Sequence, residues 1–181
     1  MPDYVSLILL SSPVEKGKRL EMALIFVDTE ADGPCPGKGE MTEFGAVELK
    51  TRKIFHGVLW EARPHPDNPA IPQRTGKQFD ALDVYTRFDK WLAQFGGRPV
   101  FVSDNPAFDW QWVNYGFHHT LGRNPFGFSA RRIGDFAAGL RGDFYAKQDW
   151  KRLRKTIHDH NPVNDAMGNV EAFEQLLRGK K

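Results

Sequence analysis

Carboxylates gather where secondary-structure elements begin and end in this chain. In "IFVDTEADG" (25–33) an apolar run breaks into Asp28, Glu30 and Asp32. Side chains alternate faces along a strand, so Asp28 and Glu30 project from one face at its carboxyl end. Two like charges that close need a counter-ion. In "FVSDNPAFDWQWVN" (101–114) Asp109 falls in the first turn of a helix that follows a buried strand. In "HDHNPVNDAMG" (158–168) His160 stands five residues before Asp165, and Pro162 suits the start of a final helix.

Two familiar motifs fail on physical grounds, and a third fits only in part. An EF-hand loop ends in Glu at its twelfth position and follows a helix; here that position is Gly39 and a strand precedes. A phosphate-cradling P-loop needs four residues between its glycine and Gly-Lys, then Ser or Thr. "GPCPGKG" has three and ends in Gly39. A phosphatase-type D-x-D is closer, but Glu30 replaces its second Asp.

The elements that must position these groups are legible from periodicity. "ALIFVD" (23–28), "TEFGAVELK" (42–50) and "KIFHGVLWEA" (53–62) read as strands, the last two joined as a tight antiparallel hairpin around Thr51 and Arg52. "EARPHPDNPAIPQRTG" (61–76), with four prolines, reads as a loop. Helical spacing of Ala81, Val84, Phe88, Trp91, Leu92 and Phe95 predicts a helix over 77–95, stopped by Gly96 and Gly97. "PVFVS" (99–103) is a short buried strand, and a helix over 106–121 follows it. Then come a Gly- and Phe-rich loop, a short strand and helix around "ARRIGDFAAGL", and a last helix with Ala166, Val170, Phe173 and Leu177 on one face. Hairpins followed by strand-helix units predict one mixed sheet covered by helices, α/β in class and a single domain.

Composition limits the function. The 181 residues are 40% hydrophobic and 13% aromatic, enough for one domain with its own core. A net charge of +2 is too small to mark a nucleic-acid binder by itself. Cys35 is the only cysteine, which excludes an internal disulfide framework and a cysteine zinc site. The apolar stretches are far shorter than a membrane span, and Asp3 stands where a secretion signal wants positive charge. The expectation is a soluble, cytoplasmic protein with no membrane partner.

Taken in order, "VDTE", "NPAFD" and "HNPVNDA" resemble the three motifs of the DEDDh family of 3′-to-5′ exonucleases, which includes the polymerase III proofreading subunit, RNase T and oligoribonuclease. The resemblance runs from about residue 22 to 178. It implies an RNase H-like fold with a five-stranded mixed sheet, the first three strands antiparallel, flanked by helices. Residues 22–181 would form the exonuclease domain and 1–21 an N-terminal extension.

By this resemblance Asp28, Glu30, Asp109 and Asp165 hold two Mg²⁺ or Mn²⁺ ions, and His160 is the general base. Such ions prefer hard oxygen ligands and serve phosphodiester cleavage in pairs about 3.5–4 Å apart. Imidazole suits proton transfer near neutral pH. Ala31 and Asp32 would line the 3′-terminal nucleotide pocket, with Asn105 and Phe79 as further substrate-binding candidates. The implied substrate is a single-stranded RNA or DNA 3′ end, RNA slightly favoured, and the product a nucleoside 5′-monophosphate.

Each residue has a plainer reading. Asp109 and Asp165 could simply favour helix N-termini, and His160 could be a surface residue. His158, seven residues before Asp165, is the less attractive base. Trp112, Tyr115 and His119 read as packing residues on the second helix. "KRLRK" (151–155) is either a solvated face or a phosphate-tracking run. Phe79, Phe117, Phe126 and Phe128 are candidates to stack on bases. Asp104, where many family members carry His, should alter local pairing without removing a ligand. A non-catalytic nucleic-acid-binding module and a phosphatase acting on small esters are the rival functions. RNA against DNA, and monomer against homo-oligomer, stay open.

Overall fold

A computed structural model describes residues 22–179; the expectation of an extension over 1–21 lies outside them. The apolar run at the start of the described chain forms β1 (Ala23–Ala31), the centre of the sheet. β2 (Met41–Glu48) pairs with it antiparallel, with Asp28 opposite Gly45, and β3 (Ile54–Val58) extends the sheet antiparallel beyond β2. The turn between β2 and β3 closes as expected around Thr51 and Arg52. Glu48 Oε2 accepts from the Thr51 amide and hydroxyl, both at 2.7 Å.

The next segment corrects the sequence reading. Residues 61–76, expected to be a loop, form most of a two-stranded ribbon, β4 (Trp60–His65) and β5 (Asn68–Gln78), turning at Pro66–Asp67. Proline is tolerated because both strands are edges and the ladder is interrupted by register shifts; Pro64 and Pro72 face each other. β5 takes Lys77 and Gln78, so helix α1 (Ala81–Leu92) starts later than expected. Asp80 is its N-cap, accepting from the Leu82 amide at 2.9 Å. A 3₁₀ turn (Ala93–Phe95) follows, and Gly96 at φ 65° ends it.

β6 (Pro99–Ser103) and α2 (Pro106–Leu121) have the expected bounds. β7 (Ala130–Arg132) leads into α3 (Ile133–Arg141), then a 3₁₀ turn (Asp149–Leu153) and α4 (Pro162–Arg178). β6 runs parallel to β1, and β7 parallel to β6, giving the five-stranded mixed order β3-β2-β1-β6-β7.

Alternation along β1 divides the core in two. Ile25 and Val27 join Phe44, Phe55 and Phe101 under α1 and α2, where Phe88 and Phe117 stack at 5.5 Å between centroids. Phe26 joins Val47, Val102 and Trp150 under α3 and α4. Each such buried side chain contributes about 1.5–3 kcal/mol by burial. Phe117 and Phe126 are fully buried in the first core and therefore cannot stack on bases as proposed from sequence, whereas Phe128 is exposed and Phe79 half-buried. Trp112 packs as expected; Tyr115 is half exposed and stacks on His119 at 5.3 Å. Among the described residues no helix is long and apolar enough to cross a membrane.

Candidate active site

The face of β1 that buries Phe26 beneath α4 changes character two residues later, where Asp28 and Glu30 take its place. β1 and β6 are parallel, so their carboxyl ends share one edge of the sheet, and α2 begins there. Both α2 and α4 open with Asn-Pro-x-x-Asp: Asn105 to Asp109 and Asn161 to Asp165. In each the Asp amide donates to the carbonyl of the Asn, at 3.0 and 2.9 Å. The aspartates are buried in the first helical turn.

Four carboxylates from three elements thereby converge. Oxygens of Asp28, Glu30 and Asp165 lie within 4.8 Å of one another, as do those of Asp28, Asp104 and Asp109. Asp109 Oδ1 accepts from the Thr29 amide at 3.1 Å and the Thr29 hydroxyl at 3.0 Å. Its Oδ2 is buried without a hydrogen-bond partner. Among the described residues no basic side chain is salt-bridged to Asp28 or Asp109.

The electrostatic consequence is strong proton retention. Burial, then the charges of Asp109, Asp165 and Glu30, raise Asp28 well above the usual carboxylate range. Glu30 is pushed up to about 8 by burial and then by Asp165, Glu43 and Asp109. Burial and then Asp104 push Asp109 to about 7, against the pull of Thr29 and the nearby Ser103 hydroxyl. Buried like charges with only oxygen donors and an unpartnered Oδ2 fit a hard divalent cation.

Asp104 differs. Burial alone would raise it, but Lys151 Nζ at 2.7 Å and Arg154 Nη2 at 3.1 Å hold it below the usual range. Its charge is already matched. Arg154 also donates to Asn169 Oδ1 at 2.6 Å, so "KRLRK" turns two of its cations inward.

The histidines stand together on the loop before α4. His158 Nδ1 lies 2.6 Å from Asp165 Oδ2; His160 Nδ1 lies 3.8 Å from Glu30 Oε1. Among the described residues, His160 is one of two non-glycine residues with positive φ, at 60°. Of the substrate-binding candidates, Asn105 is exposed and its side chain makes no cap bond. Phe79 donates its amide to Leu59, whose own amide bonds Thr42, which in turn bonds the Glu30 carbonyl. Ala31 is buried in the core. Asp32 is held by the Glu40 amide at 2.7 Å and by Arg74; it ties the loop over 32–40 to the ribbon.

Sequence reasoning missed Gly45. A Cβ there would sit 2.3 Å from the Pro162 carbonyl oxygen, so only glycine lets the start of α4 rest against β2 beside Asp28. A glycine within a strand pattern is the signal of close backbone approach. A cleft of about 700 Å³ between α3 and the C-terminal end of α4 lies at the other end of that helix and has no carboxylate in its lining.

No protein-family model matches the chain. A curated Escherichia coli relative, the 3′-5′ DNA exonuclease Cap18, is 31% identical over 176 residues, covering 84% of this chain and 90% of its own. Among solved structures, E. coli Exonuclease I in complex with a dA16 oligonucleotide superposes with a TM-score of 0.55 at 14% identity, over 88% of this chain. This chain spans 41% of that Exonuclease I chain. The nuclease domain of 3′hExo, a DEDDh family member bound to rAMP, gives 0.54 at 12% identity, over 87% of this chain and 92% of that one. With the sheet order, the three motifs in sequence and a relative matched over nearly its whole length, the chain belongs to the DEDDh family of 3′-to-5′ exonucleases.

Proposed function

We propose that this exonuclease removes 5′-mononucleotides one at a time from the 3′ end of single-stranded DNA, with two divalent cations, Mg²⁺ or Mn²⁺, held by Asp28, Glu30, Asp109 and Asp165. The carrying observation is the convergence of those four buried carboxylates beside His160. Cations held by these four carboxylates would supply charge stabilisation in the transition state and would lower the pKa of the attacking water.

Asp109 is held by Thr29 through Oδ1, which leaves Oδ2 without a partner, and Asp165 is presented by the first turn of α4. His160, with Nδ1 turned toward Glu30, accepts the water's proton at Nε2. The water oxygen bonds to phosphorus, the bond to the 3′ oxygen of the preceding nucleotide breaks, and a new 3′-hydroxyl is left. Asn105 and Phe79 are exposed enough to contact the terminal nucleotide; Ala31 could do so only through its backbone. The RNA preference implied by resemblance to the small stand-alone enzymes gives way to DNA, because the relative matched over 84% of this chain is named a DNA exonuclease.

The test uses 5′-labelled DNA and RNA of one sequence, linear or circular, with Mg²⁺, Mn²⁺ or chelator. Stepwise shortening of linear DNA, dependent on metal and slower on RNA, is expected. Faster loss of RNA would overturn the substrate; cleavage of the circle would overturn the 3′-end requirement.

A further inference from the structure

The loop before α4 is built to hold two imidazoles against one carboxylate. At its start Glu171 Oε2 accepts from the Lys155 and Thr156 amides at 2.8 and 2.7 Å, fixing the chain to α4. At its end Asn161 caps α4 through the Val163 and Asn164 amides. Between them Asp159 braces the turn, accepting from the Asn161 amide at 3.1 Å and the Asn164 side chain at 2.9 Å, while its own amide points at Asp165 Oδ1, 3.3 Å away. Asp159 thus uses its side chain on the turn, while His158 Nδ1 lies 2.6 Å from Asp165 Oδ2 and His160 Nδ1 lies 3.8 Å from Glu30 Oε1. The rings of His158 and His160 are 4.6 Å apart, and one nitrogen of each lies with an Asp165 oxygen inside a 4.8 Å group.

We propose that His158, His160 and Asp165 form a zinc site distinct in chemistry from the all-oxygen site, and that zinc there shuts the exonuclease off. The inhibitory consequence rests on the assignment of Asp165 as a cation ligand and His160 as the base. Two imidazole nitrogens and a carboxylate oxygen with an open fourth position are a zinc donor set, with bonds of about 2.0–2.2 Å and donors about 3.4 Å apart. Both rings are partly exposed, 50% and 38% at the side chain, so they can turn to that spacing and an ion can reach them. Imidazole favours zinc over magnesium, so zinc prevails at this site against a large excess of Mg²⁺. His158 contributes nothing to catalysis in this scheme; it contributes the third donor.

The experiment measures zinc binding by calorimetry, the visible absorption of Co²⁺ at the same site, and Mg²⁺-supported cleavage across a zinc titration, for the full chain and for His158→Ala. One zinc per chain, a Co²⁺ band bleached by added zinc, and inhibition reversed by chelation of zinc are expected in the wild type. His158→Ala should keep its Mg²⁺-supported rate while binding zinc at least about tenfold more weakly and resisting inhibition to the same extent. Equal zinc sensitivity in the two proteins, or zinc that supports cleavage instead of stopping it, would overturn the proposal. Loss of the basal rate in His158→Ala would instead show that the base was assigned to the wrong histidine. Zinc binding and the Co²⁺ band need no turnover and decide the site in either case.

Discussion

Helices α2 and α4 start with the same Asn-Pro-x-x-Asp pattern and bring their aspartates to the same sheet edge, but they are held by different means. Asp109 is fixed by main-chain and hydroxyl hydrogen bonds from Thr29 on the central strand. Asp165 accepts from the Asp159 amide, on a loop, and reaches β1 because Gly45 leaves room for Pro162. One wall of the site is part of the sheet; the other depends on a loop and a clearance. The α2 side should therefore fail when its carboxylate is removed, and the α4 side should also fail when its approach is blocked.

The largest effect removes charge from either wall. Asp109→Ala and Asp165→Ala, like Asp28→Ala, should each lower turnover by at least about 10³-fold, since several kcal/mol of cation-mediated stabilisation are lost. Melting temperature in chelator near pH 8 should stay level or rise, because each change relieves repulsion. A near-normal rate in any of the three would remove that residue from the site.

His160→Ala should cost about 10² to 10⁴ in rate, the usual effect of losing a positioned base, whereas His158→Ala should cost little. Rate constants at saturating Mg²⁺ separate the two; the reverse ranking would shift the third motif by two residues.

Blocking the clearance comes next. Gly45→Ala leaves every proposed ligand in place but drives a methyl group into the Pro162 backbone. About 10²-fold loss of activity is expected from displacement of Asp165, with about 1–3 kcal/mol of destabilisation from overpacking. Parallel melting and turnover measurements show whether activity falls further than stability does. Thr29→Val, by contrast, keeps the amide bond to Asp109 and removes only the hydroxyl, so a change of about 1 kcal/mol in denaturant midpoint and a few-fold loss of rate are expected.

The same contrast explains what the sequence disclosed. β6, α2 and α4 were readable because apolar periodicity, proline at the first helical turn and glycine stops all agree there. The proposed site residues were readable because residue type and order survive without knowledge of distance. The β4–β5 ribbon was not readable: its four prolines argue for a loop locally, and only pairing across two edges overrides them. Phe117 and Phe126 stood as stacking candidates beside the plainer reading of packing, and packing holds, because residue type alone does not show which face meets the core. The role of Gly45 and the inward turn of Lys151 and Arg154 toward Asp104 depend on contacts between segments distant in sequence.

The claim that this edge is a cation site is tested most directly by thermal unfolding across pH with and without Mn²⁺. Glu30 and Asp109 hold protons more tightly folded, at about 8 and about 7, than at their ordinary values of 4.5 and 3.8. The metal-free chain therefore draws its full contribution from them below about pH 4 and loses it as pH rises through 7 and 8. The account predicts a melting temperature that falls over that window in chelator and rises by at least about 5 °C when Mn²⁺ is added at pH 8. In Asp109→Ala both responses should be blunted. A metal-free melting temperature that climbs from pH 5 to 8, together with no response to Mn²⁺, would contradict it.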